Sequence, residues 1–260
     1  MTSYWCEYAW LGGASAAAGV LIDVVGDRIG AMTSGVVCPS GAVRLPGLTL
    51  PGFANAHSHA FHRALRGRTQ AGTGSFWTWR EQMYAVAERL TPDSYFQLAR
   101  AVYGEMAMAG VTCVGEFHYL HHGPGGVAYA QPNAMGAALM AAAEEAGVRI
   151  TLLDTCYLHG GIGVAPNDVQ ARFSDGSASA WAERVSGLAE TPMARIGAAI
   201  HSVRAVDPAS MAEVAEWARL GSAPLHAHVS EQPAENEQCT QAYGRTPTAM
   251  LHEAGALDER

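Results

Sequence analysis

Two histidines two residues apart, His57 and His59, follow an apolar run from Leu48 to Phe53. On a strand, residues i and i+2 point to one face, so both imidazoles can reach a single metal ion. Neutral imidazole binds zinc and neighbouring transition metals, and a zinc site open to chemistry uses about three protein ligands plus water. An isolated HxH also occurs as a pair of hydrogen-bonded histidines at a strand end, so the pair alone does not establish a site. His226 and His228 share the parity of the stretch from Pro224 to Val229, and Glu231 follows three residues after His228. A carboxylate beside a metal ion can accept and return a proton, while Glu231 ahead of Gln232-Pro233 also reads as a solvated loop charge.

Elements must bring these groups together. From Pro51 onward, strand-like runs at 111–117, 149–157, 196–200 and 224–229 alternate with alanine-rich segments of helical length at 92–109, 133–146, 178–190 and 208–220. A βαβα order implies a parallel sheet. Each predicted strand has polar residues at its C-terminal end: Glu116, His118 and Tyr119; Asp154, Tyr157 and His159; His201 and Arg204; then the histidines before Glu231. In a (β/α) barrel that end is the active-site face. Two long segments, 63–90 with Phe76-Trp77-Thr78-Trp79-Arg80 and 159–177, fall on the same face and would wall or cover a pocket. Thr91-Pro92, Asp207-Pro208 and Thr246-Pro247 mark helix starts, and Gly110, Gly147 and Gly221 mark left-handed helix ends. Glu116, His118, His121 and His122 read as support around the site or as loop. Ahead of residue 51, short strands at 4–11, 20–25, 29–32 and 47–50 between turns predict a small β domain over residues 1–50.

Composition narrows the partners. The 260 residues are 49% hydrophobic and 15% charged, a globular balance with ample material for a core. There is no apolar run of about 18 residues and no basic-then-apolar N-terminus, so neither a membrane span nor a signal peptide is predicted, and a cytoplasmic location is expected. Cys6, Cys38, Cys113, Cys156 and Cys239 are widely spaced, odd in number and form no CxxC, which argues against a disulfide framework and a thiolate zinc site. A net charge of -8 without a basic stripe argues against nucleic acid. The expected partner is a small molecule, with no nucleic acid and no membrane.

Four stretches carry a resemblance: Asn55-Ala-His-Ser-His-Ala-Phe61, Phe76-Trp-Thr-Trp-Arg80, His201-Ser-Val-Arg204 and His226-Ala-His-Val-Ser-Glu231. Preceded by a β domain, they resemble the amidohydrolase superfamily of metal-dependent deaminases and, within it, the formimidoylglutamate deiminase family. The resemblance implies a (β/α)8 TIM-like barrel preceded by a small β-sandwich-type domain. It implies one zinc ion on His57, His59 and His228, with Glu231 as the catalytic proton shuttle; His226, on the same strand face, is the alternative third ligand, and the spacing to Glu231 favours His228. The implied reaction is hydrolysis of N-formimino-L-glutamate to N-formyl-L-glutamate and ammonia, zinc-activated water attacking the formimino carbon. That dicarboxylate substrate calls for arginines able to make bidentate contacts, and Arg80 and Arg204 are the candidates. His62, Tyr119 and His201 complete the implied substrate contacts. At position 62 the family usually has glutamine; histidine there can hydrogen-bond the same formimino group or shift selectivity. Without the resemblance, Arg204 also reads as a structural salt bridge, Arg80 as a solvated loop arginine and Tyr119 as a packed aromatic. A homodimer is a further implication.

A complete barrel of this kind has eight strands, and five βα units of about 40 residues each use up the chain beyond residue 50. The chain is therefore expected to be the N-terminal part of a longer enzyme, residues 51–260 forming an incomplete barrel of strands one to five. The family's histidine on strand six and aspartate on strand eight have no counterpart, His252 lying on a helix after Thr246-Pro247 and Asp258 in a charged tail. Two other readings stay open: a deaminase of an aminopurine, pyrimidine or triazine, which has no need of Arg80 and Arg204, and a catalytically inactive truncated fragment.

Overall fold

A computed structural model describes residues 1–69 and 74–257. Asp258 lies outside the described residues, as do residues 70–73 of the first long segment. The chain divides into two compact units, Met1–Phe53 and Ala54–Arg260.

In the first unit, β1 (Thr2–Ala9), β2 (Ala17–Val25), β3 (Arg28–Thr33) and β4 (Val43–Thr49) form one sheet in the order β3-β2-β1-β4. β1 pairs antiparallel with β2 and parallel with β4. Its small buried centre is Cys6, Ala9 and Val20, with Ala17, Ile22 and Leu45 packed on them. β4 begins earlier than the predicted 47–50 because Pro46 is no obstacle on an edge strand. Gly47, at φ +75°, absorbs the slip in the β1–β4 pairing between Cys6 and Tyr8.

The second unit is the strand and helix alternation of a (β/α) barrel. Its sheet runs β5 (Phe53–Ser58), β6 (Val111–His118), β7 (Arg149–Cys156), β8 (Ala194–Ile200) and β9 (Leu225–Ala227), in that order. β6 through β9 are parallel neighbours. The helices are α1 (Phe76–Arg89), α2 (Pro92–Met108), α3 (Ala134–Ala146), α4 (Ala178–Val185), α5 (Pro208–Leu220), α6 (Pro233–Tyr243) and α7 (Pro247–Glu253). β7 and β8 are buried at almost every residue, as strands of a parallel sheet covered on both faces are, and this is why they are continuous apolar runs. The register aligns His118 with Asp154, Cys156 with Ile200 and Ile200 with Ala227. Residues just past the strand ends therefore share one rim. Gly115 allows β5 and β6 to come together: a Cβ there would sit 2.7 Å from the Ala56 carbonyl oxygen.

Thr91, Asp207 and Thr246 cap α2, α5 and α7, each side chain accepting the backbone N–H three residues on. Gly110 (φ +84°) and Gly147 (φ +72°) are left-handed, as predicted. Gly221 is not: it stays right-handed at φ -81°, and Ser222 takes the positive angle at +49°. α4 stops at Val185, five residues short of the predicted 190, with Ser186-Gly187 closing it. α1 and α6 lie outside the predicted set; α6 is polar nearly all round, so periodicity offers no signal for it. No described helix is long and apolar enough to cross a membrane.

Candidate active site

His59 lies immediately beyond β5 and His228 immediately beyond β9. These are the two outer strands of the sheet. Lying flat, five strands would hold those ends about 19 Å apart at ~4.8 Å per strand. The sheet instead curls until Nε2 of His59 is 3.2 Å from Nε2 of His228 and 3.1 Å from that of His57, with His57 and His228 3.3 Å apart. Such a triangle matches three ligands about 2.0 to 2.1 Å from one tetrahedral ion.

Protonation agrees with the geometry. Nδ1 of His59 donates to the Phe117 carbonyl at 2.9 Å, which leaves the lone pair on Nε2. Burial lowers the pKa of His57, takes that of His59 well below its ordinary value, and takes that of His228 down to about 4; for the last two, neighbouring imidazoles add to the effect. Converging lone pairs repel one another and are satisfied by a cation, so the donor set fits one divalent metal. His226 does not join it. β9 ends at Ala227, the alternation does not carry through to His228, and His226 lines a separate cavity with Arg195 and Arg219.

A cavity of about 320 Å³ opens beside the triad, large enough for a small ligand. Besides the three histidines its lining includes Glu231, His62, Arg80, Tyr119, His201 and Arg204, so every residue to which the resemblance gives a catalytic, metal or substrate role reaches one space. Glu231 accepts from Nη2 of Arg204 at 2.5 Å, and Nε of Arg204 is 3.2 Å from the fully buried Glu235. Arg204 is thus both salt-bridged and on the cavity wall. The Arg80 guanidinium lies over the Trp77 ring at 4.5 Å and the Tyr84 ring at 5.6 Å, held on α1 rather than free in a loop. Nε2 of His62 and the Tyr119 hydroxyl are 2.8 Å apart. Burial pulls His62 down to about 3, so this pair is neutral at pH 7. His201 sits against the rings of Tyr119, Tyr157 and His228, and burial keeps it uncharged.

Met83, Tyr84, Phe173 and Ser202 also line the cavity and were not singled out by sequence. Positions 76, 79, 80, 83 and 84 recur at helical spacing, a face that would have exposed α1 and its contribution. Behind the rim, Glu116 is fully buried, and its Oε1 accepts the Ala60 N–H at 2.6 Å, pinning the turn after His59. His118, His121 and Asp154 also lie together, within 4.8 Å. Asp154 is committed, however, to a bidentate pair with Arg184 and to the Trp181 indole, and Nε2 of His121 to the Thr155 carbonyl. Asp175 joins the same arginine and His122, giving a buried polar support for the strand ends. His252 lies in α7, exposed and outside the cavity lining.

Comparison with known proteins bears on this site. A model of the amidohydrolase family matches residues 48–259. Formimidoylglutamate deiminase of Pseudomonas aeruginosa is 41% identical over 227 residues, covering 85% of this chain and 50% of that protein. A 5-methylthioadenosine/S-adenosylhomocysteine deaminase of Natronomonas pharaonis is 29% identical over 214 residues, covering 82% of this chain and 44% of its own length. The crystal structure of an amidohydrolase from Brucella melitensis superposes with a TM-score of 0.90 at 36% identity, covering 98% of this chain and 57% of that one. Atrazine chlorohydrolase of Arthrobacter aurescens, solved with zinc, shares the fold at TM-score 0.82 and 22% identity, over 98% of this chain and 58% of that one. The chain spans about half the length of the curated relatives it matches.

Proposed function

Since the chain belongs to the amidohydrolase family, we propose that its site, in the whole protein, hydrolyses the C–N bond of a linear amidine bearing carboxylates. N-formimino-L-glutamate, giving N-formyl-L-glutamate and ammonia, is the substrate that fits best. One observation carries this reading: the imidazole triad opens onto a cavity whose wall holds Glu231 and two arginines, Arg80 and Arg204. A dianion makes use of two guanidinium groups, and an uncharged heterocycle does not. The 41% identity to a formimidoylglutamate deiminase supports the same choice.

His57, His59 and His228 would hold one divalent metal ion, zinc for an all-imidazole set, which when bound supplies a water acidic enough to act as nucleophile near neutral pH. Glu231 takes the proton released as water adds to the formimino carbon and hands it to the departing nitrogen. Arg204 steadies the Glu231 carboxylate and, with Arg80, binds the substrate's carboxylates. His62 and Tyr119, neutral and paired with each other, offer a hydrogen bond to the amidine group. His201 packs between them and His228 and keeps water from that side of the cavity.

The test measures ammonia release from N-formimino-L-glutamate and from 5-methylthioadenosine, with metal content determined on the same sample. Release from the first only, with Arg80→Met raising its KM at least tenfold, is the expected outcome. Release from the purine alone would discard the reading.

A further inference from the structure

Gln170 lies in the 159–177 segment, is 4% exposed, and stands behind two tyrosines of the cavity wall. Its Nε2 is 3.0 Å from the Tyr84 hydroxyl oxygen and 2.8 Å from that of Tyr157. The orientation of this amide is not free. Its Oε1 accepts the Asn167 backbone N–H at 3.0 Å, and the Asn167 side chain returns the bond by accepting the Gln170 N–H at 2.9 Å. Gly160 completes the fit, since a Cβ there would stand 2.8 Å from Oε1 of Gln170 and 2.7 Å from the Ala165 carbonyl oxygen. The end facing the tyrosines is therefore the NH2 group, and its two hydrogens go one to each phenol oxygen.

A phenol oxygen that accepts from Gln170 must direct its own hydrogen elsewhere. Even a bond between the two phenols uses only one of the two hydrogens, so among the described residues at least one O–H donor is left for whatever occupies the cavity. The surroundings say what that is. The Arg80 guanidinium lies 5.6 Å from the Tyr84 ring, and Arg204 lines the same cavity. Hydroxyl donors among guanidinium groups in a partly dry space suit a carboxylate. Tyr157 packs on His201, which packs on His228, so this donor group is two rings away from the triad. That separation suits a substrate with its reacting carbon at one end and an acid group at the other.

We infer that Gln170 is a positioning residue that presets Tyr84 and Tyr157 as hydrogen-bond donors to a carboxylate of the substrate. The inference rests on the dicarboxylate reading above and adds three residues to it. Gln170→Glu is the informative variant, because one oxygen still accepts from Asn167 while the other now accepts from the tyrosines and turns their hydrogens away from the cavity. The Tyr84→Phe/Tyr157→Phe double variant removes the donors while Gln170 keeps its two bonds to Asn167, and covers the case in which Gln170→Glu fails to fold.

Titration calorimetry on the zinc-loaded chain would compare glutarate, a five-carbon dianion, with its neutral diamide glutaramide. The expected result is wild-type preference for glutarate, with both variants binding it at least tenfold more weakly and glutaramide unchanged. Glutarate affinity within twofold of wild type in the double variant would overturn the inference and leave the dicarboxylate reading standing on its arginines. Equal binding of glutarate and glutaramide by wild type would overturn both.

Discussion

Glu116 is the residue whose charge the fold disturbs most near neutral pH. Burial raises its carboxyl to about 7, against the lowering effect of the Ala60 N–H and the Ser58 and Tyr103 hydroxyls. In an unfolded chain a glutamate titrates near about 4.3. The folded state thus holds the proton more tightly. Its stabilising contribution is full below about pH 4 and is lost as pH rises through about 7, on the order of 4 kcal/mol in all. Glu116→Gln keeps an acceptor for Ala60 and removes the titration. The variant should melt close to wild type at pH 5 and several degrees above it at pH 8; parallel melts at both pH values would expose an error of sign. Sequence placed Glu116 near the site as support, from its strand-end position. That its partner is the turn of the HxH pair was not readable, because the bond crosses 56 positions of chain.

At the scale of the element, α1 carries one wall of the cavity and depends on a residue far along the chain. Arg172 is buried, and its guanidinium donates to the carbonyls of Ala87 and Leu90 at the end of α1 and to that of His122, at 2.7 Å for Leu90 and 2.9 Å for His122. Free carbonyls and the negative pole of a helix end are where a cation binds best. Arg172→Met should cost about 3 kcal/mol in urea unfolding, since hydrogen bonds to a charged donor are worth about 1.5 to 3 kcal/mol each and the desolvation of the guanidinium is recovered. Hydrogen exchange should quicken in α1 and not in α5; uniform exchange would mean α1 stands without it. The starts of α2, α5 and α7 were legible because a cap and a proline are local signals. α1 was not, since it opens on Phe76-Trp77 behind a Ser75–Thr78 capping box and no proline marks it.

For the whole second unit, the decisive fact is that a sheet of five strands brings its two outer strands to one point. A metal ion held there would cross-link β5 to β9 and stabilise the folded state by mass action. Zinc at a hundredfold excess over its dissociation constant should add about 2.7 kcal/mol. Melting temperature should therefore rise with zinc and fall with a chelator, and His228→Ala should abolish the response while His226→Ala keeps it. A response that survives His228→Ala would place the ion elsewhere. Sequence by itself determined the alternation, the parallel sheet, the capped starts of α2, α5 and α7 and the candidate residues, because periodicity, caps and i, i+2 spacing act between near neighbours. Which of His226 and His228 meets the HxH pair, where Arg204 spends its hydrogen bonds, and that Gln170 stands behind two tyrosines were decided only in three dimensions. Each depends on the curl of the sheet or on side chains from distant segments, for example 86 positions apart for Gln170 and Tyr84, and no local preference encodes a distance of that kind.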